Sequence, residues 1–345
     1  MKVLVIRFSS IGDIVLTTPV VRCLKNQVKG TILHYATKEQ YLPLLSANPY
    51  IDKVYTIRKD VSEIIRELKK EKYDFIVDLH KNIRSHQLRF RLWKPSASFP
   101  KLNFEKGLMV KWKINRLPDI HIVDRYFQAV KTFGITNDGM GLDLFILSTD
   151  QLHIPQLIPE LEPALELELA PSYIAFCIGG KFHTKIFPAE KVAEVCSGIR
   201  YPVILLGGPE DHGRGQEIIA KTTNGKVFNL CGKLSLMQSA SVIRQSLRVI
   251  TNDTGMMHFA AALRKDILSL WGNTIPAFGM YPYFPEGFVN TSAQMEVNDL
   301  SCRPCSRLGY QKCPKGHFDC MGKIPVEKII NWATPPLLAG EGAGG

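Results

Sequence analysis

The sequence predicts an α/β protein built from two Rossmann-like halves that face each other across a crevice. Three observations carry this expectation. Short, continuously apolar runs alternate with helical segments, as parallel strands with crossover helices require. The alternation lapses once, over residues 148–171, and then restarts. Each half also holds an apolar run that ends in a polar turn with glycine and passes into a helix. At 345 residues the chain exceeds what one hydrophobic core usually serves, which favours two domains.

The opening run Lys2-Val3-Leu4-Val5-Ile6-Arg7 reads as a buried parallel strand. The turn Phe8-Ser9-Ser10-Ile11-Gly12-Asp13 follows, then a helical pattern from Ile14 to Leu24 that Pro19 should kink or restart. The dinucleotide fingerprint Gly-x-Gly-x-x-Gly is absent. Asp13 falls at the carboxyl end of the first strand, where open α/β sheets place their ligands. A carboxylate there also suits N-capping or the first turn of a helix.

Strands are expected at 31–36, 53–57 and 73–79, with a short helix at 38–45 and an amphipathic one from Val61 to Lys70. The strand at 73–79 delivers His80, Lys81 and Arg84 to the same sheet edge as Asp13. Residues 86–116 interleave basic and aromatic side chains, among them Arg89, Phe90, Trp93, Lys101, Phe104, Lys106 and Trp112. Such a mixture suits a membrane interface or a phosphorylated lipid, or single-stranded nucleic acid with bases stacked on rings. A helix with a solvated basic face and a buried aromatic face is the plainer alternative. The segment from His121 to Gly134, with Asp124 and Arg125, opens another helix.

The prolines at 155, 159, 163 and 171 mark an inter-domain linker. It divides the chain into an N-terminal domain at 1–160, a C-terminal domain at 161–335 and a Gly/Ala-rich tail at 336–345 that should be disordered. The second half repeats the alternation with strands at 173–178, 202–206, 227–230, 247–250 and 266–272. Its key stretch is Thr251-Asn252-Asp253-Thr254-Gly255-Met256-Met257-His258, a strand, a tight turn and a helix start. Asn252 or Asp253 should cap that helix, and Gly255 lets another molecule approach the backbone. Amides at such a start, with the positive end of the helix dipole, form a site for phosphate.

Charge is lopsided. Of the 43 Lys+Arg and 32 Asp+Glu residues, 25 and 15 fall in residues 1–150, so nearly all of the net +11 belongs to the first half. That half is expected to meet something acidic: nucleic acid, a phosphorylated substrate or an anionic membrane surface. No apolar run approaches the ~20 residues a membrane span needs, and the N-terminus lacks a signal-peptide core, so a cytoplasmic protein is expected. Cys23, Cys177, Cys196 and Cys231 sit in apolar or helical contexts and read as buried small hydrophobes. Cys302, Cys305, Cys313 and Cys320 are spaced compatibly with a structural Zn²⁺, though not as the usual two pairs. Reduced thiols in a loop, or disulfides were the protein exported, are the alternatives there.

Both end motifs resemble those of glycosyltransferase family 9, the heptosyltransferases of lipopolysaccharide core assembly. The resemblance rests on Val3 to Pro19, on Thr251 to His258 (many relatives have proline in place of Met256), on Lys185-x-Phe-Pro and on Gly207-Gly208-Pro209-Glu210. It runs over roughly residues 1–330. It implies a GT-B fold and inverting transfer of heptose from ADP-L-glycero-β-D-manno-heptose to a core or lipid A-type acceptor, with no cofactor for catalysis. It also implies a cytoplasmic enzyme peripheral to the inner membrane that binds no nucleic acid. Asp13 is then the candidate base. Ser9, Ser10, Gly12, Lys185, Glu210, Asp253, Thr254, Gly255 and His258 are candidates for the donor, and Lys81 and Arg84 for an anionic glycolipid acceptor. Alternatives are a GT-B transferase or epimerase for another nucleotide sugar, or a non-catalytic binder of acidic lipid or nucleic acid.

Overall fold

A computed structural model describes residues 1–161, 173–223 and 226–334. Part of the expected linker and the whole of the tail at 336–345 lie outside the described residues.

The first sheet consists of β1 (Lys2–Ile6), β2 (Ile32–Lys38), β3 (Lys53–Ile57), β4 (Phe75–Asp78) and β5 (Ser96–Ser98), in the order β3-β2-β1-β4-β5. All its pairings are parallel. The second consists of β6 (Ile174–Cys177), β7 (Val203–Leu206), β8 (Val227–Asn229), β9 (Arg248–Asn252), β10 (Ile267–Trp271) and β11 (Ala293–Glu296). Its order is β11-β10-β9-β6-β7-β8, again parallel throughout. In each sheet the chain first winds outward from its opening strand and then returns to that strand's other side. The switch points lie between β1 and β4 and between β6 and β9, and crevices at the carboxyl ends of such strands are where open α/β sheets bind ligands.

β1 is apolar on both faces because both faces are covered. Val3 and Val5 point into one buried cluster, Leu4 and Ile6 into another. β6 behaves likewise, with Ala175 and Cys177 on one side and Ile174 and Phe176 on the other. The cluster that holds Val3 and Val5 is the one that holds Ala175, Cys177 and Val249. One core therefore runs through both lobes.

Pro19 restarts the first helix: Ile11–Val15 ends, and Thr18–Gln27 begins with the proline in its first turn. The segment expected as a short helix is a 3-10 turn over Glu39–Leu44. The basic-aromatic stretch folds as helices Ile83–Leu92 and Asn103–Trp112 around β5. Its aromatics do not form the buried face of the plainer alternative. Phe90 is 74% exposed and Trp93 80%, and Phe104 and Trp112 are exposed as well. Only Phe99 of the group is buried, against Tyr126.

Candidate active site at the junction of the lobes

The helix after β1 and the helix after β9 meet head to head. A β-carbon on Gly255 would stand 2.8 Å from Ile11 Cγ2 and 3.0 Å from the Gly12 amide nitrogen. One on Gly12 would stand 2.5 Å from His258 Cδ2. Only two glycines permit this approach, and it brings the motif of each lobe against the other.

On the first lobe, Asp13 pairs with Arg7 at 2.6 Å and accepts hydrogen bonds from the Ser10 hydroxyl (2.7 Å) and amide (3.1 Å). Burial alone would raise its pKa. The Arg7 charge, the Ser10 bonds and nearby His258 outweigh burial and hold it down to about 2. Asp13 is therefore a carboxylate at any physiological pH. Arg7 is itself buried and braced by the carbonyls of Ser9 (2.7 Å) and Leu79 (2.5 Å) and by Tyr126 Oη (3.1 Å). From the sequence alone Arg7 reads as the end of a strand. The signal was a charge flush against four buried aliphatic residues.

On the second lobe, neither Asn252 nor Asp253 caps the helix Gly255–Ala262. Thr254 occupies the N-cap position and no side chain bonds the free amides. Asn252 instead donates to the Ile178 and Gly179 carbonyls and accepts from the Phe187 amide. Asp253 accepts from Lys185 Nζ (2.5 Å) and Thr274 Oγ1 (2.6 Å). The local capping preference lost to tertiary partners. The Thr254 hydroxyl is buried with no partner, as is His258 Nδ1. Burial first, then the Lys185 charge, holds His258 down to about 4 against the pull of Asp253 and Asp13. It is a neutral imidazole beside a carboxylate and an ammonium. An uncapped helix start, an unpartnered hydroxyl and an ammonium thus lie together where the lobes meet, and they suit an anion.

The remaining sites divide. Ser9 and Ser10 lie at this junction through their bonds to Arg7 and Asp13. Glu210 is exposed and folds over Gly208. Its neighbour Asp211, not anticipated, is buried, accepts from the Gly208 amide (3.0 Å) and pairs with Arg214 (2.8 Å). Asp211 thereby fixes the loop after β7. Lys81 Nζ donates to the Phe99 carbonyl (3.0 Å), and Arg84 is exposed. Cys302, Cys305, Cys313 and Cys320 line one small cavity with His317 and buried Asn273. Cys302 Sγ lies 3.8 Å from His317 Nε2, but among the described residues no three ligand side chains converge on a metal position.

The family model of glycosyltransferase family 9 (heptosyltransferase) matches residues 61–309. The chain belongs to this family. It is a glycosyltransferase, and its two lobes are those of the GT-B fold. Lipopolysaccharide heptosyltransferase 2 of Escherichia coli is 26% identical over 81% of this chain and 84% of its own. Among solved structures, the family 9 glycosyltransferase of Veillonella parvula superposes with a TM-score of 0.74 at 23% identity, covering 96% of each chain. E. coli heptosyltransferase WaaC, solved with ADP-2-deoxy-2-fluoro heptose, gives a TM-score of 0.58 at 20% identity over 80% of this chain and 90% of that one.

Proposed function

We propose that this glycosyltransferase moves heptose, with inversion, from ADP-L-glycero-β-D-manno-heptose to the core of a lipopolysaccharide, with Asp13 as the base. The observation that carries the reading is the juxtaposition of two unlike halves. A carboxylate fixed by Arg7 and Ser10 on one lobe faces an uncapped helix start with Lys185 on the other. The relatives' names and the sugar nucleotide in the WaaC structure support heptose and ADP.

In this mechanism the donor diphosphate lies at the amides of Thr254 and Gly255 with Lys185, held in place by Asp253, beside it. Those groups offset the charge that grows on the diphosphate as the anomeric C–O bond breaks. The acceptor hydroxyl forms the new C–O bond and passes its proton to Asp13. A carboxyl with a pKa of about 2 is a weak base toward a free alcohol. The proton therefore transfers late, once bond formation has made the hydroxyl acidic. Neutral His258 shapes the space and donates or accepts without carrying charge. No step calls for a metal. A zinc in the cysteine loop would have to draw together thiols that do not converge on one position among the described residues, and it would stand apart from the chemistry; elemental analysis of purified protein tests it, and a zinc content near zero with normal turnover refutes it.

The enzyme, on this reading, works at the cytoplasmic face of the inner membrane. Exposed Phe90, Trp93, Phe104 and Trp112 among lysines and arginines give an amphipathic, cationic surface for anionic lipid. Among the described residues no helix is long and apolar enough to cross a membrane. A donor panel tests the central claim: ADP-heptose should raise the melting temperature and support transfer to heptose-deficient lipopolysaccharide. Stabilisation by a UDP- or GDP-sugar instead would replace heptose with another donor.

A further inference from the structure

Arg303 stands inside the motif Cys302-Arg303-Pro304-Cys305, apart from Asp13 and the Gly255 helix start. Its side chain is 7% exposed, and every nitrogen of the guanidinium is bonded. Nε donates to the Gly272 carbonyl (2.6 Å), Nη1 to the Val297 carbonyl (3.2 Å) and Nη2 to the Thr274 carbonyl (2.8 Å). Nη2 also pairs with Glu296 at 2.5 Å. The planar fork thereby ties the turn that follows β10 to the end of β11. The same loop makes further backbone bonds nearby. The Cys305 amide donates to the Asn273 carbonyl (3.2 Å). The Tyr310 amide donates to Thr184 Oγ1 (2.8 Å), and its carbonyl accepts from the Thr184 amide (3.1 Å).

Both contacts lead to Lys185. Thr274 is 2% exposed, and its hydroxyl donates to Asp253 Oδ2 (2.6 Å), the same oxygen that accepts from Lys185 Nζ (2.5 Å). Thr184, 1% exposed, immediately precedes Lys185 in the chain. The lysine is thus held at its backbone by Thr184 and Tyr310. It is held at its ammonium by Asp253 and Thr274, with Arg303 behind them. A lysine is a point charge on a flexible four-carbon stem, and fixing that stem beforehand removes its entropy loss from ligand binding. An ammonium has three donors, so the bond to Asp253 Oδ2 leaves others for phosphate oxygens.

We propose that Arg303 is a positioning residue for the donor. Through Thr274 and Asp253 it sets where Lys185 presents its charge, while Thr184 and the Tyr310 backbone hold the other end of the same side chain. This role deepens the transferase reading and rests on it. It gives segment 302–310 a task at the donor site whatever its thiols bind. A lysine at 303 keeps a charge for Glu296 but offers one nitrogen to four acceptors, so the turn after β10 loses its common donor.

The test measures nucleotide binding by calorimetry and heptosyl transfer, both on the full-length enzyme. Arg303→Lys, Thr274→Val and Thr184→Val should each weaken ADP about tenfold, the scale of one lost charge-assisted hydrogen bond. Donor KM should rise alike, with acceptor KM unchanged. The same substitutions are then placed in Lys185→Met. Acting through the ammonium, they have nothing left to disturb, so each double variant should bind ADP within about twofold of Lys185→Met alone. A merely structural role would multiply the two losses. Arg303→Lys binding ADP within about twofold of wild type, a raised acceptor KM, or a loss that persists in Lys185→Met would overturn the proposal. Should Arg303→Lys fail to fold, Thr274→Val, which removes one hydroxyl and keeps the shape, decides by the same criteria. Wild type that binds ADP but transfers no heptose refutes the functional reading alone, and the binding cycle still decides the role of Arg303. The cycle uses whichever of ADP, UDP and GDP the wild type binds; binding of none overturns both.

Discussion

Gly255→Ala isolates the contact on which the site depends. The added β-carbon would stand 2.8 Å from Ile11 Cγ2 and 3.0 Å from the Gly12 amide nitrogen. Ordinary contact between such atoms is about 3.5–4.0 Å, so the lobes must part by roughly 0.5–1 Å. Ile11 can turn its side chain aside, but the Gly12 backbone cannot. Alanine also favours the helix by up to about 1 kcal/mol, against a clash of about 1–3 kcal/mol relieved by opening. The melting temperature should therefore change little. Turnover should not be spared, because a displacement near 1 Å between reacting groups costs on the order of 100-fold. We expect kcat/KM for heptosyl transfer to fall about 30- to 100-fold, with the circular dichroism melt nearly unchanged. A variant with kcat/KM within threefold of wild type would show that the lobes need not approach this closely, and the geometry argued for Asp13 and the Gly255 helix start would fail with it.

Asp13→Asn should lower kcat by about 10²–10⁴-fold while ADP-heptose still raises the melting temperature; normal turnover would remove Asp13 as the base. Because the Asp13 pKa falls from 3.8 to about 2 on folding, its pairing stabilises the protein above pH 4 and is lost as pH drops toward 2. Acid titration of wild type against Asp13→Asn should show that difference, at most about 2 kcal/mol. With His258 held down to about 4, the pH–rate profile should show no histidine inflection near 6.5, and one that disappears in His258→Gln would contradict a neutral ring. Lys185→Met should raise donor KM at least about tenfold and leave Asp253 buried with Thr274 alone. An unchanged donor KM would assign the diphosphate elsewhere. Phe90→Ser with Trp93→Ser should weaken flotation with anionic vesicles, and binding that ignores both lipid charge and these residues would refute the membrane face.

Much of the architecture was legible because buried parallel strands leave uninterrupted apolar runs: β1, β6 and β7 fall where those runs lie. Ser96–Ser98 and Ala293–Glu296 were not foreseen. They are edge strands of three and four residues, only partly buried, and carry no such run. Asp13 and Gly255 could be read from the chain because a strand end followed by glycine and a helix is a local pattern. The partners that define their chemistry are distant in sequence. Arg7 meets Tyr126, and Lys185 meets Asp253, through the fold alone. The failed capping expectation at Asn252 and Asp253 has the same origin. Both side chains had better partners across the sheet than in their own turn. Arg125 looked like any basic residue on a helix, and no local signal marks a guanidinium whose bonds are left unmade.

The aliphatic interior shared by β1 and β6 bears on how such enzymes can be recombined. Their two lobes are not interchangeable cassettes. A chimera joining this donor half to another acceptor half must import Ile11–Val15 and Gly255–Ala262 as a matched pair, or the crossover will expose apolar surface that neither parent ever presented to water.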